Sequence, residues 1–370
     1  MAHALPVVRS YHGESAEPLE AWTGFDAVEL FFEAYGPETG RLVVPANAPF
    51  LHHTRSMPGG AGVFLEVDAR DAGVPHVWTG RFQAPQFGGG SPSVSAQLAG
   101  PRSWLENVGV VGTGETAECA SAVVRKALQA AKGPTYVRMD EGGYAGMRAP
   151  VDLSGQALWP LITALATERG EEPQLEAQPG AVDYKLRWSH PLEAPDLSGR
   201  ATLIDGRNCV LGQSAHALGA PLTELVATAQ SWDVGSEYVT SAAKVIAPVG
   251  ARLGLRAALH MVATSAIGRS LADDPVAPMP ETTTREALEL ALQTALVRAS
   301  IPRILAQIND VDDALWPLMT PGAVVGAQLR DPFGLMQRAL VRIRTATFRP
   351  TPPRSCALSV ELWATEASDA

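Results

Sequence analysis

The chain has 370 residues, of which 46% are hydrophobic and 18% are charged, so it is too apolar to be disordered and long enough for two or three domains. Its formal net charge is −10 and it has no block of lysine or arginine, which argues against sequence-independent binding to phosphate backbones. The three cysteines, Cys119, Cys209 and Cys356, are far apart, which argues against a disulfide framework or a structural zinc site.

Three segments in the first hundred residues alternate apolar and polar side chains, which is the pattern of half-buried β-strands. Apolar residues occupy every second position at 28–32, 63–67 and 94–98, and the opposite face carries polar residues such as Glu29, Glu66 and Gln97. A fourth, shorter segment surrounds Trp78, and residues 1–25 are predicted to be an arm or an early strand. The pattern predicts an antiparallel barrel or sandwich after that arm.

Two helices are predicted next. Apolar residues recur with helical spacing from Ala120 to Ala131, and a Gly-Pro pair at 133–134 ends this helix. The same spacing at 158–165 predicts a second helix, in which Pro160 is tolerated only within the first turn.

Strands resume in the second half of the chain. They are predicted at 182–188, 201–204 and 209–212, with strand-like segments at 222–232 and 239–249. A long helix is predicted from Thr283, which forms a capping box with Glu286. The chain then ends in a β-hairpin, whose strands at 341–347 and 358–363 flank a proline-rich turn.

This order of elements predicts a β-dominated α+β fold with β-barrel domains and inserted helical segments. We expect four parts: an N-terminal arm (1–25), a first β-barrel domain (26–110), an inserted helical and α+β region (111–200), and a second β-barrel domain with the long helix and the terminal hairpin (201–370).

Short fragments of the chain, taken in order, resemble one protein family. They are residues 77–81, 96–105, 158–166, 184–188, 203–208, 284–299, 342–344 and 358–362. In this order they resemble the baseplate hub proteins of the siphophage tail tip and of related tail-like particles, often called minor tail proteins. The resemblance covers most of residues 26–364, but Ala323 replaces an acidic residue usual in the family and residues 232–280 match least.

The resemblance implies a structural virion protein of the phage tail tip, and not an enzyme. Such hubs form a ring, here expected to be a homotrimer with two tail-tube-like barrels per chain, that continues the tail tube. The implied partners are other copies of the chain, the tail tube or distal tail protein, the tape-measure protein, and a fibre or spike protein. The acidic balance would let DNA pass through the lumen during ejection, without specific nucleic-acid binding.

Aromatic and apolar residues of the first barrel and the terminal hairpin are the candidates for the assembly surface. Aromatic side chains are favoured in subunit contacts, and strand edges of neighbouring subunits pair readily. The candidates are Trp78, Trp104, Val341, Ile343, Leu358, Val360 and Leu362. For the tryptophans, packing inside the chain's own core is the competing interpretation.

No motif for catalysis or for cofactor or metal binding is found. The glycines at 109–114 lack the third glycine of a dinucleotide-binding turn, and adjacent His52 and His53 would point to opposite faces of a strand. No HExxH or GxSxG motif occurs. There is also no 18-residue apolar run or signal-peptide core, so we expect synthesis in the host cytoplasm and no stable membrane insertion.

Two other functions stay open at this point. One is a soluble adhesin or carbohydrate-binding module, which specific glycan binding by an isolated monomer would support. The other is a hydrolase without a recognised motif, which turnover that depends on His216 or Ser214 would support.

Overall fold

The computed structural model of the protein describes the greater part of the chain. The described residues are 5–13, 17–34, 36–48, 51–52, 63–87, 92–109, 115–130, 137–139, 148–152, 157–168, 172–180, 183–189, 194–216, 224–232, 238–246, 259–260, 304–330 and 336–365. The helix predicted from Thr283, and with it the fragment 284–299, lies outside the described residues.

The first hundred residues form seven strands, and the four predicted segments, at 28–32, 63–67, around Trp78 and at 94–98, are among them. They are β1 (Val7–His12), β2 (Pro18–Trp22), β3 (Ala27–Glu33), β4 (Gly36–Pro45), β5 (Val63–Asp68), β6 (Trp78–Phe87) and β7 (Ser93–Ala99). The segment predicted as an arm or an early strand is thus a pair of strands. A 3₁₀ turn at Arg70–Ala72 precedes β6, and a short helix, α1 (Pro101–Leu105), follows β7.

The middle of the chain forms an α/β module, which is defined here by the elements from β8 to β12. They are β8 (Glu115–Cys119), α2 (Ala120–Ala130), β9 (Val137–Met139), β10 (Arg148–Asp152), α3 (Leu158–Glu168), β11 (Glu172–Gln178) and β12 (Asp183–Ser189). Both predicted helices are confirmed, and Pro160 lies in the first turn of α3. Strands β8 and β10 form one small sheet, and β11, β12 and β9 form another.

The second half of the chain returns to strands. They are β13 (Thr202–Ile204), β14 (Val210–His216), β15 (Glu224–Trp232), β16 (Tyr238–Ile246), β17 (Leu259–His260), β18 (Ile304–Asn309), β19 (Val324–Arg330), β20 (Met336–Arg349) and β21 (Ser355–Thr365). A 3₁₀ helix at Asp313–Leu318 precedes β19. Strands β15, β16 and β17 form a separate small sheet.

Thirteen strands from both halves of the chain form one continuous sheet. Its order is β14-β18-β21-β20-β3-β4-β7-β6-β5-β1-β2, and β13 and β19 branch from it beside β20. The two halves meet where Thr345–Phe348 of β20 pair with Leu30–Glu33 of β3. The terminal hairpin is therefore central to the sheet.

The sheet forks along β20. The first part of this strand, Met336–Arg342, pairs with β19, whereas its later part pairs with β3. At the branch point the amide of Gly322 donates to the carbonyl of Ile343 at 2.7 Å, and the amide of Ala34 donates to the carbonyl of Arg344 at 2.9 Å. We call this branch point the fork.

One hydrophobic core is shared by strands from both halves of the large sheet. It includes inward residues of the early strands, such as Val28, Leu30 and Phe32, together with Ile343 and Phe348 of the late strands. A second core joins helices α2 and α3 and strands β11 and β12 to Tyr11 and Phe64 of the large sheet. The module therefore packs on the sheet through an apolar contact of its own.

The β-dominated α+β prediction is confirmed by these elements. The division into two barrel domains stays a prediction, because strands from both parts share one sheet and one core. Among the described residues, no helix combines the length and the apolar character needed to cross a bilayer.

Candidate assembly surface

Five of the seven predicted contact residues face the core of the chain. Trp78, Val341, Ile343, Leu358 and Val360 are each at most 3% exposed. They occupy the inward positions of alternating strands, where apolar side chains are buried against the facing strands. Their side chains are unavailable to a neighbouring subunit, which corrects the choice of these residues as direct contacts. The strands that carry them remain candidates for assembly.

The other two predicted residues are half-buried. Trp104 lies in α1, and its ring is 4.5 Å from the guanidinium carbon of Arg81 on β6. Leu362 lies on β21 opposite Val341 of β20. The fold thus brings Leu362 beside Val341 within the terminal hairpin, whereas Trp104 lies on a different element.

The opposite, outward positions of five neighbouring strands form a polar face. Cross-strand pairs such as Thr39–Phe31, Phe31–Thr347 and Thr347–Ala357 run across β4, β3, β20 and β21. All of its side chains are exposed or half-buried, and most are hydroxyl or amide groups. The polar face comprises Ala27, Glu29, Phe31, Thr39, Arg41, Val43, Ser93, Ser95, Gln97, Thr345, Thr347, Arg349, Ser355, Ala357 and Ser359.

One of the two arginines of the polar face is paired with a carboxylate of the same face. Arg349 pairs with both carboxylate oxygens of Glu29 at 3.0 and 3.1 Å. Arg41 donates from Nε to the hydroxyl of Ser95 at 3.1 Å, and Ser93 donates to Asp26 at 2.6 Å. The face therefore carries few charges, and it has no cluster of arginines or lysines to attract a polyanion.

The strands at the two ends of the large sheet are β2 and β14. Within the described part of the chain each has one strand neighbour in the sheet order, and no described strand pairs with its other edge. Strand β2 has only exposed and half-buried residues, and Val210 at the start of β14 is 49% exposed. These edges are the places where another chain is able to extend the sheet.

A buried ion pair fastens the module to the large sheet. Arg342 of β20 is 2% exposed and donates from Nη2 to Glu172 of β11 at 2.6 Å. Its Nε also donates to the carbonyl of Gly322 at 3.2 Å, and Glu361 lies 3.7 Å from Nη1. The alternating pattern of the terminal strand suggests an outward, solvated arginine here. Its partner is 170 residues away, so no local signal reveals the pair.

A second buried carboxylate fastens the other end of β11. Glu66 of β5 is 1% exposed, pairs with Arg9 of β1, and accepts the amide N–H of Gly180 at 2.7 Å. The hydroxyl of Tyr11 lies 3.4 Å from the same carboxylate. Sequence reasoning places Glu66 on the polar side of β5, and it does not indicate burial.

The described residues contain no group of three or more potential ligands that could hold a metal ion. Cys209 and Cys356 are buried free thiols, and burial raises the pKa of Cys209 to about 11. Buried thiols with a raised pKa are poor nucleophiles at neutral pH. Ser214 and His216 lie two positions apart on β14, but the surroundings of their side chains are outside the described part.

Comparison with solved structures shows which known proteins have a similar fold. The chain superposes on the tail protein from Neisseria meningitidis MC58 with a TM-score of 0.59 and 14% identity, over 97% of each chain. It superposes on the 43 kDa tail protein of prophage MuSo2 from Shewanella oneidensis with a TM-score of 0.58 and 13% identity, over 96% of this chain and 98% of the other.

A third structure is the prophage tail protein gp18 from Listeria monocytogenes EGD-e, with a TM-score of 0.54 and 10% identity. The match covers 96% of this chain and 94% of that one. No protein-family model and no curated protein matches the sequence. At these identities the likeness is one of fold, and the fold is that of phage tail proteins.

Proposed function

We propose that the chain is a structural, non-enzymatic subunit of the tip of a phage tail or of a related tail-like particle. The observation that carries this proposal is the match in fold, which runs along nearly the full length of this chain and of three tail proteins. The order of the short fragments resembling tail-tip hubs supports it independently. We place the protein in the virion after synthesis in the host cytoplasm.

The subunits would join into a ring, a homotrimer with two barrels per chain. Edge strands β2 and β14 of neighbouring copies would pair through the edges that no described strand of the chain covers. In this arrangement the core residues of the terminal hairpin keep their present contacts. The strand edges, and not those side chains, make the subunit contact.

The polar face is suited to line the lumen of such a ring. Hydroxyl and amide side chains, with few charges among them and no cluster of arginines or lysines, give DNA no cationic surface to bind, and the net charge of the chain is −10. The ring would continue the tail tube, and would contact the tube or distal tail protein, the tape-measure protein, and a fibre or spike protein.

Mass photometry and negative-stain microscopy of the purified chain test the proposal. We expect trimeric or hexameric rings with a central channel. A compact monomer, both at high concentration and in the presence of the tail-tube protein, would contradict ring formation and favour a carbohydrate-binding module. Turnover of a cell-wall substrate that Ser214→Ala or His216→Ala abolishes would contradict the non-enzymatic role.

A further inference from the structure

A cavity of about 340 Å³ opens at the fork of the large sheet. Its walls come from four segments: the end of β3 with the turn to β4, the loop that ends in Val77, strand β11, and the turn at 320–322. Phe32, Val77 and Leu175 supply apolar wall, and His76 and Gln174 supply polar groups. Its volume lies at the lower end of the range of ligand-binding cavities. We call it the fork cavity.

The wall formed by β11 is held in place at three points. Glu172 at its start is paired with buried Arg342, and Gly180, in the turn after its end, donates to buried Glu66. Between them, the carbonyl of Leu175 lies against Gly36, where a Cβ atom would overlap it. Residues 172–180, which we call the strap, therefore cross the fork without closing it. A cavity with fixed walls binds a ligand without the entropic cost of first forming the site.

Charged residues at the fork cavity have partners of opposite charge within the chain. Glu33 is paired with Arg102, and Arg70 is paired with Asp68 at 2.8 Å. Glu176 is paired with Arg187 at 3.3 Å across the rim. An ionic ligand would have to displace one of these pairs. The paired charges of the cavity walls therefore favour a ligand whose bound part carries no net charge.

Two polar side chains of the cavity wall are free to bind such a ligand. Neither the imidazole of His76 nor the amide of Gln174 has a side-chain hydrogen bond to another described residue. Desolvation by the surrounding walls lowers the pKa of His76, against the opposing effect of Glu176, and this favours the neutral imidazole. A neutral imidazole and an amide each offer both a donor and an acceptor, as a peptide group does.

We propose that the fork cavity binds an uncharged, extended segment of another protein. The peptide groups of this segment hydrogen-bond to His76 and Gln174, and an apolar side chain packs against Ala177 and Pro321, which are half-buried in the lining. A peptide fits better than a glycan, because the only aromatic ring of the lining besides His76 is that of Phe32, which is 2% exposed. The proposal does not depend on ring formation and holds for the isolated chain.

The test uses a displayed library of random peptides, panned on the immobilised full-length protein and then measured singly by fluorescence anisotropy. We expect enriched peptides whose affinity falls about fivefold in Gln174→Leu, which removes the amide and keeps the size of the side chain. Ala177→Trp, which fills the cavity, is expected to weaken binding more than about tenfold. Gln307→Leu is the matched control, since it removes an exposed amide from another strand, β18, and should leave binding unchanged.

Thermal unfolding of each variant distinguishes loss of the binding site from loss of the fold. Gln174→Leu is the variant that we expect to disturb folding least. If no peptide distinguishes the wild type from Gln174→Leu at an unchanged unfolding midpoint, the proposal is wrong. It is also overturned if a glycan array, and not the peptide library, yields ligands that both cavity variants lose.

Discussion

At the scale of single residues, the buried pair of Glu172 and Arg342 is the most consequential contact. Removing a charge from water is costly, and in this pair each partner compensates the other. Such a pair adds little net stability compared with apolar residues. The loss of one partner, however, leaves the other charge buried and uncompensated.

We therefore expect Glu172→Gln to lower the free energy of unfolding by about 3 kcal/mol, as measured by urea denaturation. The matched control is Glu29→Gln, which breaks the Glu29–Arg349 ion pair on the same sheet. Its partners are 31% and 53% exposed, so we expect a loss below about 1 kcal/mol. Equal losses in the two variants would show that Arg342 is compensated by Glu361 alone.

Alternation along the strands predicts correctly which apolar residues are buried, including Val28, Leu30 and Phe32. It fails for Arg342 and Glu66, which occupy polar positions of their strands and are nevertheless buried. The period of a strand gives the face on which a side chain lies. It does not show that a distant module covers that part of the face.

At the scale of elements, the strap is a strand held by its ends. Its start depends on Glu172, and its turn depends on the hydrogen bond from Gly180 to Glu66. The two anchors come from different parts of the large sheet, β20 and β5. Losing one anchor should therefore loosen one end of the strap and leave the other in place.

Replacing Glu66 by leucine should make the amide of Gly180 exchange with solvent about tenfold faster, because its only described acceptor is removed. Hydrogen–deuterium exchange with fragment analysis measures this change, and peptides around Glu172 should exchange as in the wild type. The control is Glu176→Gln, in the middle of the strap, which leaves the Gly180 bond intact. Uniform acceleration over the whole module would contradict separate anchoring.

The positions of the strands were easier to predict from the sequence than the way in which the strands pair with one another. The terminal hairpin, four of the first seven strands and both helices of the module follow from periodicity and turn residues. Strand β4 was not predicted, and β1 and β2 were expected only as an arm or an early strand. The fork does not follow from periodicity or turn residues, because β20 extends from Met336 to Arg349 as one strand. The alternation of apolar and polar residues does not show where its partner changes from β19 to β3. The sequence therefore does not predict the fork cavity either.

At the scale of the whole molecule, a lumen lined by the polar face has a direct test. In a Cys119→Ser background, where Cys209 and Cys356 are buried, Thr347→Cys would carry a maleimide-linked gold cluster. We expect gold at the centre of end-on ring images, because Thr347 lies in the middle of that face.

Lys126→Cys on α2 is the control for this experiment, because that residue is exposed on the module and away from the polar face. Its gold should appear at a larger radius. Gold from Thr347→Cys at the periphery of intact rings would assign the lumen to another face. Rings whose Thr347→Cys does not react would instead place the polar face between subunits.

The order of fragments along the chain was enough to indicate the tail-protein fold, although each fragment alone is weak. The division into two barrels, which the resemblance implies, stays a prediction. In the structure the strands of both parts are hydrogen-bonded into one sheet. Composition and periodicity report on local segments and do not report such joining.

The pairing of β3 with β20 also affects how the chain is made. Glu29 and Arg349, which flank this seam, are 320 residues apart, so the ribosome releases the first seven strands long before their neighbour exists. Until then β3 has an open edge that another nascent chain could occupy. Completion of the sheet must wait until β20 has been made, and non-local pairing of this kind slows folding. The β20–β21 hairpin thus joins the sheet long after β3 has left the ribosome.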